Sequence, residues 1–146
     1  MLIDDDPDCR QMVRDALEIG QICNPVYEVD SGTAALEFLD RAQADPEMVR
    51  PGLIYLDLEM PGLDGLETLR LLRAQPGLAD VSIVMLTGVT DDSAKRRALQ
   101  LGANSFANKP IDAKQFAETV LAATHYWTRI HQRPARGSQN FNTQVR

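Results

Sequence analysis

Short apolar runs alternate along the chain with stretches in which apolar residues recur every three or four positions. The runs are MLID from residue 1, VYEVD from 26, LIYLD from 53, VSIVMLT from 81 and SFANK from 105. The runs predict strands, and the stretches between them predict amphipathic helices. Alternating strands and helices imply right-handed crossovers and a mainly parallel sheet covered on both faces. The pattern therefore predicts one α/β domain of the doubly wound type.

Capping residues give the approximate ends of five helices. Asp6 before Pro7 is typical of a helix N-cap followed by proline in the first turn, and Ser31 predicts the cap of the second helix. Gly102 predicts the C-terminal end of the fourth helix. The predicted helices span residues 7–20, 31–42, 66–74, 91–101 and 112–131.

The last predicted helix is longer than the sheet requires. A strand of about five residues spans roughly 17 Å, which a helix of about eleven or twelve residues covers. Apolar residues recur along the whole helix at Phe116, Val120, Ala123, Trp127 and Ile130. Trp127 and Ile130, with Tyr126 beside them, have no sheet left to cover and would form an exposed apolar patch. We therefore expect a homodimer through this helix; the alternative is an overhang that folds back or frays.

Composition and charge exclude several classes of function. Of the 146 residues, 44% are hydrophobic, and 21 acidic against 15 basic residues give a net charge of -6. Without a basic stripe, nucleic acid is not an expected partner. No apolar run approaches the roughly twenty residues of a membrane span and the N-terminus is not signal-like, which predicts a soluble cytoplasmic protein without a membrane partner. Cys9 and Cys23 lack metal-type or redox-type spacing and are interpreted as buried thiols in a reducing compartment.

The two ends of the chain carry expectations of their own. The first acids follow residue 3, whereas an interior strand usually has about five or six residues, so a few natural N-terminal residues are expected to be missing. Residues 132–146 are polar and predict a flexible tail, which leaves residues 1–131 as the folded domain. No output domain fits after the last helix, so the protein is expected to act by association.

Polar side chains follow four of the predicted strands. They are Asp4, Asp5 and Asp6 after the first strand, Asp57 after the third, Thr87 after the fourth, and Lys109 with Pro110 after the fifth. In a doubly wound sheet, these strand ends meet at one edge. Carboxylates held together need a cation, and an oxygen-rich site suits Mg²⁺, which can recruit a phosphoryl oxygen. Asp57, which stands apart from the other acids, is the expected nucleophile, with Lys109 and Thr87 holding other phosphoryl oxygens.

Four motifs in order make the chain similar to a known family. They are Asp4-Asp5, Asp57 followed by MPGLDG, Thr87-Gly88 and Lys109-Pro110. Together they resemble the receiver domain of two-component response regulators over residues 1 to about 125, with a size and spacing similar to the chemotaxis response regulator. The resemblance implies a flavodoxin-like fold, in which a five-stranded parallel sheet has strand order 2-1-3-4-5. It also implies a signalling protein rather than an enzyme, one that accepts a phosphoryl group from a histidine kinase or a histidine phosphotransfer protein.

The resemblance assigns the acids their roles. Asp57 would be the phosphoacceptor and would also contact the Mg²⁺ ion. Asp5 would be a direct metal ligand, the backbone carbonyl of Glu59 would complete the protein ligands, and Asp4 would act partly through water.

The remaining matches would bind and report the phosphoryl group. Thr87 would bond one phosphoryl oxygen and move toward it, and Lys109 would pair with another. The bond before Pro110 is usually cis in the family, which would aim the Lys109 side chain inward. Phe106 takes the position of the family's mobile aromatic residue on strand five and lacks the hydroxyl of the common Tyr, so its inward swing would act by packing alone.

The C-terminal run FAETVLAATHYWTRIHQRP carries a second resemblance. It is similar to the C-terminal segment of single-domain response regulators encoded with phytochrome-type histidine kinases. This resemblance makes a phytochrome-type kinase the expected partner.

Two other classes of function remain open from the residues alone. Phosphatases of the haloacid dehalogenase type also use an aspartate after a hydrophobic strand with a second acid two positions on, as Asp57 and Glu59 offer. Those enzymes place the motif on their first strand, which would leave Asp4 and Asp5 unused. A pseudo-receiver would keep the fold without the chemistry, although the full set of matching residues argues against it.

Overall fold

A parallel sheet with helices on both faces forms the described part of the chain. The computed structural model describes residues 1–88, 91–109 and 112–130, with the backbone alone described at 129 and 130. The strands are β1 (Leu2–Ile3), β2 (Glu28–Val29), β3 (Leu53–Asp57), β4 (Ser82–Thr87) and β5 (Ser105–Asn108). The helices are α1 (Pro7–Ile19), α2 (Gly32–Ala44), α3 (Gly65–Ala74), α4 (Asp92–Gln100) and α5 (Ala113–His125). A π-helical turn, Tyr126–Ile130, continues α5.

The strand order confirms the predicted topology. The sheet runs β2-β1-β3-β4-β5, and each neighbouring pair is parallel. The predicted α/β fold and the order 2-1-3-4-5 are therefore correct. β1 and β2 have two residues each and are shorter than the predicted runs. Bonds from Leu2 N to Tyr27 O at 2.7 Å and from Asp4 N to Val29 O at 3.2 Å extend their pairing past the strand ends.

The central strand β3 has a buried layer on each face, because successive side chains of a strand point to opposite sides. Ile54 and Leu56 lie in one buried cluster with residues of α2, α3 and α4. Tyr55 lies in the other cluster, with residues of α1 and α5. Its hydroxyl contacts Val120 O at 3.0 Å and Thr124 Oγ1 at 2.6 Å, which ties α5 to the sheet. Burial raises the pKa of Tyr55 to about 12, so the hydroxyl stays neutral.

Side-chain caps begin the five described helices. The capping residues are Asp6, Ser31, Asp64, Asp91 and Asp112. Asp6 accepts from Asp8 N at 2.9 Å, and Ser31 accepts from Ala34 N at 3.2 Å, as their positions predicted. None of the described helices combines the length and the apolar character that crossing a membrane requires.

Trp127 corrects one expectation for the C-terminal helix. The sequence predicts that it has no sheet left to cover, but it is partly buried and packs against the cluster of α1 and α5. Its indole nitrogen, in the π-helical turn, donates to Ser105 Oγ of the edge strand β5 at 3.1 Å. Tyr126 remains 47% exposed. The side chain of Ile130 and the whole of His131, at the predicted end of the helix, lie outside the described residues.

The two cysteines differ in burial. Cys9 is buried on α1, as expected. Cys23 is exposed in the connection between α1 and β2, so the expectation of two buried thiols is wrong for this residue. A loop residue packs against fewer neighbours than a residue on the inner face of a helix, which composition alone does not reveal.

Candidate functional site

The carboxyl ends of the strands bring the predicted site residues to one edge of the sheet. Ile3 pairs with Leu56, which puts Asp4 beside Asp57 at the end of β3. Thr87 ends β4, and Lys109 follows β5 with its backbone N–H donating to Thr87 O at 2.8 Å. The ends of four strands therefore bring these polar residues to one edge of the sheet, as the topology predicted.

The Lys109 ammonium bridges two buried carboxylates. Its Nζ lies 2.9 Å from Asp4 Oδ2 and 3.0 Å from Asp57 Oδ1. Burial of the ammonium lowers the pKa of Lys109, but the hydrogen bond and the negative charge of Asp4 outweigh it, so the net pKa is raised. The side chain is therefore held as a cation between the two acids.

One ammonium does not balance the three acids of the site. Asp4 is 1% exposed and Asp57 2% exposed, while Asp5 is exposed at the rim. Oxygens of the three carboxylates all lie within 4.8 Å of one another. Burial, and then the charge of Asp4, raise the pKa of Asp57 to about 6, against the opposing effects of Lys109 and the backbone N–H of Glu59. The cluster carries excess negative charge at neutral pH.

This arrangement fits a divalent cation. Asp4 Oδ2 is buried, and among the described residues it is paired with the Lys109 ammonium at 2.9 Å. The atoms that could bind a metal ion here are carboxylate oxygens, the ligands that Mg²⁺ prefers. Asp5 is the solvent-exposed member of the cluster.

The side chains of Glu59 and Phe106 lie outside the ion-paired group of Asp4, Asp57 and Lys109. The backbone of Glu59 is beside the site, where its N–H donates to Asp57 Oδ1 at 3.2 Å, while its side chain is exposed and its carboxylate is not part of the acidic cluster. Phe106 pairs with Met85 in the sheet and packs half-buried against the cluster of α2, α3 and α4. Pro110, with the expected cis bond, lies outside the described residues.

The MPGLDG motif is explained by a close backbone approach that sequence reasoning missed. A Cβ on Gly65 would lie 2.2 Å from the Asp57 carbonyl and 2.6 Å from Leu58 Cα. Glycine therefore lets α3 begin directly against the end of β3, with Asp64 capping the helix. Gly62 takes a φ of 75°, a left-handed conformation that glycine adopts without strain.

Cys9 places an uncharged thiol next to Asp4, a neighbour of the site that the sequence did not indicate. Burial, and then a hydrogen bond and the charge of Asp4, raise the pKa of the Cys9 thiol to about 12. The thiol is therefore protonated at physiological pH, and a protonated thiol is a poor nucleophile.

The response regulator receiver domain family matches residues 1–121 of this chain. The chain therefore belongs to that family. It is a phosphoacceptor signalling domain of a two-component system, a class that takes phosphoryl groups from histidine kinases or phosphotransfer proteins.

Particular relatives share the whole fold or the receiver part alone. The response regulator Rcp1 of Synechocystis is 26% identical over 135 residues, 92% of each chain. A crystal structure of the Mn²⁺-bound form of Rcp1 has a TM-score of 0.78 at 27% identity and covers 92% of this chain and 96% of that chain. The bacteriophytochrome response regulator AtBRR has a TM-score of 0.65 at 32% identity, covering 83% of this chain and 89% of that chain. The transcriptional regulator DctD of Pseudomonas aeruginosa is 34% identical over 123 residues, 84% of this chain, which spans only 24% of DctD.

The raised pKa of Asp57 predicts an unusual dependence of stability on pH. The folded-state pKa is about 6 against an ordinary 3.8, so the folded protein holds a proton between these values that the unfolded chain has lost. The free energy of unfolding of the metal-free protein should therefore fall as pH rises through this window. Asp57→Asn removes the titrating carboxyl and with it this loss of stability. Its free energy of unfolding should exceed that of the wild type by an amount that grows to at most about 3 kcal/mol above pH 6, the value that corresponds to the shift in the Asp57 pKa.

Urea unfolding in EDTA, at intervals between pH 4 and pH 8, measures this difference. Asp6→Asn is the matched control, because Asp6 is an exposed helix cap outside the cluster. A difference between Asp57→Asn and wild type that stays flat across the range would contradict the assigned environment of Asp57.

Proposed function

We propose that Asp57 accepts a phosphoryl group from a phosphohistidine, with Mg²⁺ bound beside it. Asp5, Asp57 and the backbone carbonyl of Glu59 would hold the ion, and Asp4 would act partly through water. The observation that carries the proposal is the Lys109 ammonium, within 3.0 Å of the carboxylates of both Asp4 and Asp57 at the ligand-binding edge of the sheet.

The environment of the two buried acids favours Asp57 as the nucleophile. Asp4 has both oxygens engaged, since Oδ1 accepts from Asp6 N at 2.9 Å and Oδ2 meets Lys109. Within the described residues, the contacts that hold Asp57 are to Oδ1, from Lys109 at 3.0 Å and from Glu59 N at 3.2 Å. Oδ2 of Asp57 is therefore the oxygen best placed to attack.

The reaction is a phosphoryl transfer from nitrogen to oxygen. An oxygen of Asp57 forms a bond to phosphorus while the bond from phosphorus to the imidazole nitrogen breaks and its electron pair stays on that nitrogen. The product is an aspartyl phosphate. Lys109 pairs with one phosphoryl oxygen, and the Thr87 hydroxyl at the end of β4 donates to another. When bound, Mg²⁺ neutralises charge that develops on the phosphoryl oxygens.

The expected donor is a sensor histidine kinase or a histidine phosphotransfer protein. The likeness to AtBRR, a bacteriophytochrome response regulator, favours a phytochrome-type kinase. The protein would then act in the cytoplasm, where such kinases form phosphohistidine from ATP. Apart from its own phosphorylation and dephosphorylation, it would catalyse no reaction.

The association of the protein is proposed to involve its C-terminal segment. Residues 1–131 would form the receiver domain and residues 132–146 a polar tail, with the helical end as the contact of a homodimer. Tyr126 supports this contact, because it is 47% exposed and its ring lies edge-on to Trp127 with 4.9 Å between centroids. Aromatic side chains are frequent anchors of protein interfaces.

Phosphorylation by a small donor tests the central role of Asp57. With Mg²⁺ and acetyl phosphate, the wild type should gain one phosphoryl group by intact-mass analysis, and Asp57→Asn should gain none. The modification should be labile in acid and base, as expected of an acyl phosphate. Asp6→Asn should label like the wild type, because Asp6 serves as a helix cap.

Two outcomes would reject this assignment. Equal labelling of wild type and Asp57→Asn would remove Asp57 as the acceptor. Rapid multiple turnover of phosphate esters with little trapped phosphoprotein would favour the phosphatase alternative.

Phosphotransfer from a purified phytochrome-type kinase, compared with an unrelated histidine kinase, tests the proposed partner.

Sedimentation tests the proposed homodimer. We expect Tyr126→Ala to weaken self-association measurably, because it removes an exposed aromatic ring while leaving the Trp127 side chain itself unchanged. Ile19→Ala is the matched control, since Ile19 is 73% exposed on α1. A wild type that remains monomeric at tens of micromolar (about the range of regulated contacts), both with and without phosphorylation, would refute the dimer.

A further inference from the structure

The turn between β1 and α1 determines the direction of the Asp5 side chain, the exposed member of the acidic cluster. Asp5 lies at the rim, yet an oxygen of its carboxylate stays within 4.8 Å of those of Asp4 and Asp57. An exposed side chain with few neighbours takes its direction mainly from its own backbone. The direction of Asp5 therefore depends on the two peptide groups on either side of it.

The peptide group after Asp5 is fixed by Asp4. The N–H of Asp6 donates to Asp4 Oδ1 at 2.9 Å. Asp4 itself is held in place by its N–H bond to Val29 O at 3.2 Å and by the ion pair with Lys109. One side of the turn is therefore anchored to the sheet.

The peptide group before Asp5 is fixed by an arginine of α1. Arg10 Nη1 donates to the carbonyl oxygen of Asp4 at 2.6 Å. That carbonyl belongs to the peptide that joins Asp4 to Asp5, so the guanidinium sets the orientation of its plane. Asp5 thus lies between two pinned peptide groups, and its Cα–Cβ bond has little freedom.

We propose that Arg10 is a positioning residue that orients Asp5 for the metal ion, an inference that rests on the proposed metal site. Arg10 acts through the Asp4 carbonyl and makes no contact with the ion or the phosphoryl group. A charge-assisted hydrogen bond to a backbone carbonyl suits this role, because it is strong and the planar guanidinium is rigid.

Because Arg10 is positively charged, simple electrostatics and positioning predict opposite changes in Mg²⁺ affinity when it is removed. A cation near the acidic cluster repels Mg²⁺, so loss of the charge alone should tighten metal binding. Loss of the positioning contact should weaken binding instead, because Asp5 would have to be ordered again when the ion binds. The direction of the change therefore separates positioning from simple electrostatics.

The experiment is a Mg²⁺ titration of the full chain, followed by amide NMR shifts at Asp5, Asp6 and Glu59. Arg10→Ala should weaken Mg²⁺ binding by about tenfold or more, the size expected for loss of a charged hydrogen bond. Arg10→Lys should recover part of the affinity, because it keeps a charged donor at this position but lacks the rigid guanidinium.

Arg14→Ala is the matched control. Arg14 lies one turn further along α1, is paired with Glu28 and Gln11, and carries the same charge. Its loss should leave Mg²⁺ affinity within about twofold of the wild type, since its charge is already paired with Glu28 and is further screened by salt. Urea unfolding in EDTA should show that Arg10→Ala remains folded.

The possible results are distinguishable. An Arg10→Ala protein that binds Mg²⁺ as tightly as the wild type, or more tightly, overturns the role of Arg10. The same holds if Arg14→Ala weakens binding equally, or if Arg10→Lys fails to restore it. A wild type that does not bind Mg²⁺ would overturn the proposed metal site itself, and with it this inference.

Discussion

The site depends on one ammonium held between two buried carboxylates. Lys109 lies 2.9 Å from Asp4 and 3.0 Å from Asp57, both almost fully buried. Burial removes the hydration of two carboxylates that also repel each other, and without that cation nothing would offset these two costs. With it, the cluster tolerates burial but keeps a surplus of negative charge once Asp5 is included. The same contact thus permits the acids to be buried and leaves them with affinity for a second cation.

Strand β5 connects this site to the C-terminal segment. At one end of the strand, Lys109 binds the acids and donates its backbone N–H to Thr87. At the other end, Ser105 accepts a hydrogen bond from Trp127 in the π-helical turn. A shift of β5 on phosphorylation would therefore reach the segment proposed to mediate association. Such a shift would link the proposed phosphorylation of Asp57 to the proposed association of the protein.

Features that depend on local sequence or on topology were predictable, and features that depend on distant packing were not. Caps such as Asp6 and Ser31 follow from residue type, and the meeting of Asp57 with Lys109 follows from a parallel sheet. The contact of Trp127 with Ser105 needed the course of a π-helical turn, which a helical period does not reveal. The role of Gly65 needed the approach of α3 to the Asp57 carbonyl, and the burial of a cysteine depends on its neighbours in space.

The most direct test of the Lys109 bridge is a carbon-13 NMR titration of the Asp57 carboxyl in the metal-free protein. The wild type should titrate with a pKa of about 6, set by burial and Asp4 against the opposing charge of Lys109. In Lys109→Met the attractive charge is gone, so the pKa of Asp57 should rise further. A pKa in Lys109→Met that is equal to or lower than that of the wild type would contradict the account, because the ammonium would then not be what stabilises the ionised acid.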